Sequence, residues 1–89
     1  MIKLTHIAAS GPAALELTFS DGSHARWSAA DLIERATPLT RALADPAYFA
    51  RAFIEAGALA WPNGLELAPW TLHEELREAG LLGKTEAAA

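Results

Sequence analysis

The sequence predicts a small α+β domain with a mostly antiparallel sheet of four to five strands, short helices packed on one face and a C-terminal helix. Three observations lead to this class. Segments in the first half of the chain alternate apolar and polar residues with a period of two, which is typical of strands with one buried face. Later segments place apolar residues at helical spacing after N-cap and proline residues. The strands come in hairpins and do not alternate with helices, which favours antiparallel pairing.

The strongest local prediction is a β-hairpin formed by residues 13–19 and 23–27. Leucine and phenylalanine alternate with polar residues up to Phe19, and Asp21-Gly22 follows at once. An Asp-Gly pair between alternating runs is one of the best short-range hairpin signals. A further strand is predicted before it, over residues 2–8, where the alternation is weaker.

The middle of the chain predicts two or three short helical pieces across residues 29–52. Ser28 can cap the first of them, and Pro38 can open the next turn. Asp45-Pro46 combines an N-cap residue with proline at the first helical position, which is typical of a helix start. We expect separate pieces because these start signals recur within a few residues of one another.

The remaining segments predict short strands and the last helix. Strands are expected over 53–61, around a tight turn, and at 65–67 after the turn Pro62-Asn63-Gly64. The last helix is expected over residues 69–81, opening at Pro69, with leucines spaced along one side.

Length and composition set the limits of this domain. The 89 residues fit one domain, which we assign to residues 1–83, with residues 84–89 as a disordered tail. Hydrophobic residues make up 52% of the chain, but alanine supplies nearly half of them and valine is absent. Chains of this size bury only about 60–65% of their unfolded surface. We therefore expect self-association or a small protein partner to add burial.

The charge of the chain argues against several classes of partner. The net charge is −4, and the basic residues are spread along the sequence without a cluster. Nucleic-acid binding needs basic groups at the phosphates, and anionic membranes also attract basic surfaces. We therefore expect no direct binding of nucleic acid and no membrane association. No apolar run approaches the roughly 18 residues of a membrane span, and the N-terminus lacks the pattern of a signal peptide. The cytoplasm is the expected location.

No arrangement of residues indicates catalysis, a metal or a cofactor. Cysteine is absent, and the histidines His6, His24 and His73 lie too far apart in sequence for one element to present them together. We interpret them as surface residues. An acid–base site would require His24 or His73 to meet a carboxylate in a cleft. We therefore expect the protein not to be an enzyme.

Four short motifs, in order and spacing, resemble the small bacterial family known as domain of unknown function (DUF) 2442. They are Leu17-x-Phe19-x-Asp21-Gly22, Asp31-Leu32, Leu43-x-Asp45-Pro46-x-x-Phe49 and Leu59-x-Trp61-Pro62-Asn63-Gly64-x-x-Leu67. The resemblance spans roughly residues 2–72. It implies a compact antiparallel α+β fold and defines no catalytic residues.

The resemblance also implies a direction for function. Some members carry a helix-turn-helix DNA-binding domain behind this one, and members often lie beside a second small gene, a pair proposed to be a toxin–antitoxin system. This chain ends six residues past Gly83, so we expect no helix-turn-helix here. The resulting hypothesis is a protein-interaction domain, the antitoxin-like or regulatory member of a two-gene module. The alternative is a homo-oligomeric structural or small-ligand-binding domain, with a concave face beside Trp61 and Asn63.

Three residues are the candidates for partner binding. Trp70 follows Pro69 at the start of the last helix and is turned partly aside when the helix buries its leucines. Trp70 can therefore lie at the edge of the core or at an interface, and an exposed tryptophan is typical of interface hot spots. Trp61 and Asn63 belong to the most specific part of the family pattern. The favoured interpretation is a rigid turn packed over Trp61, which explains each of these residues, and partner contact is kept as the second.

Overall fold

The computed structural model describes residues 1–84 and confirms the α+β class. This part of the chain contains seven strands, three α-helices and one 3₁₀ helix. The strands are β1 (Leu4–Gly11), β2 (Ala14–Phe19), β3 (Ser23–Ser28), β4 (Phe53–Glu55), β5 (Ala58–Ala60), β6 (Glu66–Leu67) and β7 (Gly83–Lys84). The helices are α1 (Ala30–Arg35), the 3₁₀ helix (Arg41–Ala44), α2 (Pro46–Phe49) and α3 (Pro69–Glu78).

The strands form two sheets, and every pairing among the described residues is antiparallel, as predicted. The first sheet has the order β1-β2-β3-β7, and the second has the order β4-β5-β6. The sequence analysis placed the strands in one sheet of four to five. A hydrogen bond from the Leu4 N–H to the Gly57 carbonyl (2.8 Å) links β1 to the turn of the second sheet.

The predicted hairpin is confirmed to within one residue at each end. Strands β2 and β3 pair with Leu17 opposite Ala25, and both side chains are buried. Glu16 and Arg26 lie opposite each other on the other face and are exposed. The first sheet therefore has one buried and one solvated face, as the alternation predicts.

The turn between β4 and β5 also follows the prediction. Ala56 and Gly57 both have positive φ, at 50° and 87°. Two such residues form the type of tight turn whose twist matches that of the flanking strands. A side chain at Gly57 would lie 2.9 Å from the Lys3 side chain, so glycine also allows the close approach to the first sheet.

The helix ends follow from particular residues. The Asp45 side chain accepts from the Ala47 N–H (3.0 Å), and so confirms Asp45-Pro46 as the start of α2. Helix α3 begins at Pro69 as predicted but ends at Glu78, three residues early. Gly80 has φ +72° and donates to the Arg77 carbonyl, while Leu81 donates to the Leu76 carbonyl. This pair of bonds is the Schellman motif, which terminates helices at a left-handed glycine.

One core joins both sheets and the helices. Its largest fully buried side chains are Phe19, Phe49, Trp61, Leu17, Leu43 and Leu59. Lys84, the first residue of the predicted tail, lies in β7 and pairs with Ser23 of β3. It therefore belongs to the first sheet. The other predicted tail residues, 85–89, lie outside the described part of the chain. None of the helices in residues 1–84 is long and apolar enough to cross a membrane.

Candidate functional site

Trp61, one of the predicted partner-binding residues, lies in the core. It is only 1% exposed, and its indole Nε1 donates to the Phe49 carbonyl (3.0 Å). Its ring centroid lies 5.7 Å from that of Phe49 and 6.3 Å from that of Trp27. The ring is therefore enclosed on the inner side of the domain, as expected for a turn packed over Trp61. The role of Trp61 toward a partner stays a prediction.

Asn63 lies at the surface, but its polar groups are bound within the chain. Its amide nitrogen Nδ2 donates to the Leu39 carbonyl (3.0 Å), and its Oδ1 accepts from the Leu65 N–H (3.1 Å). Its main-chain N–H donates to the Tyr48 hydroxyl (2.9 Å). These bonds fasten the Pro62-Asn63-Gly64 turn to the segment before α2. They support the interpretation of Asn63 as a turn residue and leave its role toward a partner a prediction.

Trp70 is the predicted contact residue that the structure places on the surface. Its side chain is 56% exposed, whereas Pro69, Leu72 and Leu76 of the same helix are buried. Helical periodicity of 3.6 residues per turn places Trp70 on one flank of α3 together with Arg77. Arg77 forms an ion pair with Glu74 there. Trp70 is therefore a large apolar side chain on a well-anchored helix, beside a charged pair.

An apolar groove lies along the opposite flank of α3, between that helix, α1 and the end of β3. Its volume is about 220 Å³. Its apolar lining comes from four elements or their ends: Trp27, Leu32, Leu67 and Leu72. A shallower depression adjoins the groove and is lined in part by Leu76 and Leu81. Leu81 is 57% exposed, so the apolar surface continues beyond the groove toward the end of α3.

The rim of this groove is mainly acidic. Asp31, Glu66 and Glu75 line it, against one guanidinium, that of Arg35. Within residues 1–84, none of these three carboxylates forms an ion pair. An acidic rim around an apolar floor suits an occupant with an apolar side chain and basic neighbours. The sequence analysis missed this groove because its walls come from residues up to 48 positions apart, Trp27 to Glu75, and no local pattern joins them.

His73 departs from the expectation of three surface histidines. Its Nε2 lies 3.0 Å from Asp21 Oδ2, its side chain is 18% exposed, and its ring meets Phe19 edge-on at 5.0 Å. The other oxygen of Asp21 accepts from the Ser23 N–H (2.9 Å) and hydroxyl. The Ser23 hydroxyl, with the Ser23 N–H and His73, lowers the pKa of Asp21 to about 2.

This pair ties α3 to the turn of the β2–β3 hairpin. His73 and Asp21 are not among the residues that line the groove. The Ser23 hydroxyl binds the carboxylate and not the imidazole, so the three residues do not form a nucleophile–base pair. The geometry therefore indicates a structural link. Among residues 1–84, no group of three or more His, Asp or Glu side chains could hold a metal ion.

These observations define a small two-sheet α+β domain. Its last helix has an exposed tryptophan on one flank and an apolar groove on the other. The chain belongs to the family described as "Protein of unknown function (DUF2442)", whose sequence model matches residues 5–78. The match runs from β1 to the end of α3, and the expected membership is confirmed. No curated protein and no solved structure matches the chain.

Proposed function

We propose that this protein is a non-enzymatic protein-interaction domain of the cytoplasm, the antitoxin-like or regulatory member of a small bacterial two-gene module. It would bind a small protein partner through α3, without direct contact with nucleic acid or membrane. The family membership supports the direction of this proposal, because the resemblance described above implies a paired gene. The exposure of Trp70 supports α3 as the surface that binds the partner.

The observation that carries the proposal is the 56% exposure of Trp70 on a helix that is otherwise firmly packed. Leu72 and Leu76 bury the opposite side of α3, and the Schellman motif fixes its end. Trp70 is thus presented by a rigid element, so little conformational entropy is lost when a partner covers it. Tryptophan is also among the residues most enriched at interface hot spots.

The groove on the other flank of α3 is a second candidate contact surface, and its acidic rim indicates the charge of the partner. The unpaired carboxylates Asp31, Glu66 and Glu75 complement basic side chains, and the whole chain carries −4. Complementary charge raises the association rate and makes it sensitive to salt. We therefore expect the partner to be basic.

The groove favours a protein partner over the small-ligand alternative. Its volume of about 220 Å³ is continuous with an adjoining depression of about 390 Å³, and such an open surface differs from the clefts that bury most of a small ligand. The alternative placed a concave face beside Trp61 and Asn63. The Trp61 ring is enclosed in the core, which does not support such a face. A homo-oligomer that forms through another face of the domain is compatible with a partner-binding surface on α3.

The first experiment is affinity co-purification of the tagged protein from its native host, with bound species identified by mass spectrometry. One stoichiometric small basic protein, the product of the neighbouring gene above all, would support the proposal. Purification of this chain alone at near-native expression would contradict it and favour the homo-oligomer or ligand alternative.

The second experiment tests Trp70 by calorimetric titration with that partner. Trp70→Ala should weaken binding by about 2 kcal/mol or more, roughly thirtyfold in Kd. Leu39→Ala is the matched control, because Leu39 is also a large exposed apolar residue (43%) and lies outside α3. Equal affinity of the two variants would remove Trp70 from the interface.

A further inference from the structure

The edges of the two sheets differ in length and charge. Strand β1, at one edge of the first sheet, has eight residues and none of them is Asp, Glu, Lys or Arg. The other edge strands of the described residues have two or three residues each, and each carries a charge: Lys84 in β7, Glu55 in β4 and Glu66 in β6. Short length and charged side chains are the devices by which proteins keep sheet edges from pairing. Only β1, among these four edges, lacks both devices.

The outer side of β1 is open over most of its length. At its start, the Leu4 N–H is bound to the Gly57 carbonyl in the second sheet. Beyond that point, His6, Ala8 and Ala9 are exposed, and Ile7 is half-buried. In an edge strand every second residue directs its N–H and C=O away from the neighbouring strand. Those groups are therefore available to another strand.

The pairing of β1 with β2 is regular in the centre of this open stretch. Irregularities occur between Leu4 and His6 and between Ala9 and Gly11. Between them, Ile7, Ala8 and Ala9 pair in unbroken register with Leu17, Glu16 and Leu15. The irregularities that can turn an edge away are thus confined to the two ends of β1, and its centre keeps a continuous register.

We propose that two copies of this chain pair antiparallel through β1, about a two-fold axis near Ile7 and Ala8. The first sheets would then form one sheet of eight strands, in the order β7-β3-β2-β1 followed by β1-β2-β3-β7 of the second copy. A two-fold interface uses the same patch on both copies, and an antiparallel pair of identical strands meets this condition. Ile7 lies opposite Leu17 on the inner face, so pairing would also cover its exposed part.

The charge distribution favours a second copy as the occupant of this edge. Two chains of net charge −4 repel each other over most of their surfaces. The residues of β1 itself carry no charge, and the Arg26 guanidinium bonds Ser10 near the end of the strand, away from Ile7 and Ala8. The centres of two copies can therefore approach without like charges in contact. Strand β1 lies outside α3, so neither this proposal nor the proposed function depends on the other.

Light scattering after size exclusion tests the proposal on the full chain. At about 0.1 mM, where a dimer of micromolar affinity is formed, the expected mass is twice the 9.5 kDa of one chain. Ala8→Lys should convert it to a monomer or weaken the dimer by about tenfold or more, because two positive charges would meet near the axis. Within one copy the new lysine lies opposite Glu16, so the monomer fold gains a favourable pair.

Ala44→Lys is the matched control, since it adds the same charge at an exposed position of the 3₁₀ helix and should leave the dimer intact. Amide exchange of the unmodified protein gives a second readout: within residues 6–10, the amides that point away from β2 should be protected at high concentration and exchange faster on dilution. A monomeric wild-type chain at 0.1 mM would overturn the proposal. So would a dimer that Ala8→Lys leaves unchanged or that shows no protection in β1.

Discussion

Strands β1, β2 and β3 of the first sheet have six to eight residues, whereas the strands of the second sheet have two or three. In the first sheet, long ladders of main-chain hydrogen bonds and an alternating apolar face share the stabilisation among many residues. The second sheet has few ladder bonds, and single side chains hold it in place. Single substitutions should therefore lower the free energy of unfolding more in the second sheet than in the first.

The side chains that hold the second sheet are those of the family motifs. Trp61 donates to the Phe49 carbonyl, and Asn63 donates to the Leu39 carbonyl. Asp45 caps the helix that carries Phe49. The Trp61 bond joins two residues of the motifs quoted above, whereas Leu39 lies outside them. A structural role therefore accounts for Trp61, Asn63 and Asp45 without any reference to catalysis.

The largest effect is expected from Trp61→Ala. The variant removes an enclosed ring and its hydrogen bond, so the free energy of unfolding should fall by about 3–5 kcal/mol. Trp70→Ala, a surface change of the same kind, should alter it by only about 0.5 kcal/mol. Urea unfolding followed by circular dichroism measures both. Similar losses in the two variants would contradict the contrast between an enclosed and an exposed tryptophan.

A smaller effect is expected from Asn63→Ala. The variant leaves the Leu39 carbonyl and the Leu65 N–H without their side-chain partner, which should cost about 1–2 kcal/mol of unfolding free energy. Asn63→Asp keeps the acceptor for Leu65 but loses the donor to Leu39, so its loss should be intermediate. Wild-type stability in Asn63→Ala would show that the ladder of the second sheet suffices without this residue.

The same contrast explains how much the sequence could predict. The β2–β3 hairpin was predicted to within one residue, because alternation over six residues and an Asp-Gly turn are local signals. The strands of the second sheet were predicted, over 53–61 and 65–67, but their separation from the first sheet was not, since the pairing of distant segments leaves no local pattern. The 24-residue separation of Asn63 and Leu39 likewise leaves no local trace.

The candidate site divides in the same way. The helical spacing of the buried leucines turned Trp70 partly aside but left core edge and interface both open, and only the folded chain shows its 56% exposure. The enclosed position of Trp61 was one of two interpretations, and only the packing of Trp27 and Phe49 around it decides between them. The groove and the His73–Asp21 pair join elements that meet only in the folded chain.

The smallest effect is expected for the charge of Asp21, at the hairpin turn of the first sheet. The Asp21 side chain links this turn to His73 of α3. Its pKa is lowered from 3.8 to about 2, chiefly by the Ser23 hydroxyl, with His73 contributing. A carboxyl with a lowered pKa in the folded state stabilises the fold above its ordinary pKa and loses this contribution as the pH falls toward 2. Solvent screening at this partly exposed site reduces the contribution to about 1 kcal/mol.

Asp21→Asn isolates that charge, because asparagine keeps an oxygen for the Ser23 N–H while it cannot ionise. The difference in unfolding free energy between wild type and Asp21→Asn should be largest near neutral pH and shrink between about pH 4 and pH 2. Ser23→Ala should reduce the change in unfolding free energy between pH 4 and pH 2, since it removes the hydroxyl that contributes most to stabilising the carboxylate. Parallel pH profiles for wild type and Asp21→Asn would show that the link between α3 and the hairpin rests on packing against Phe19 alone.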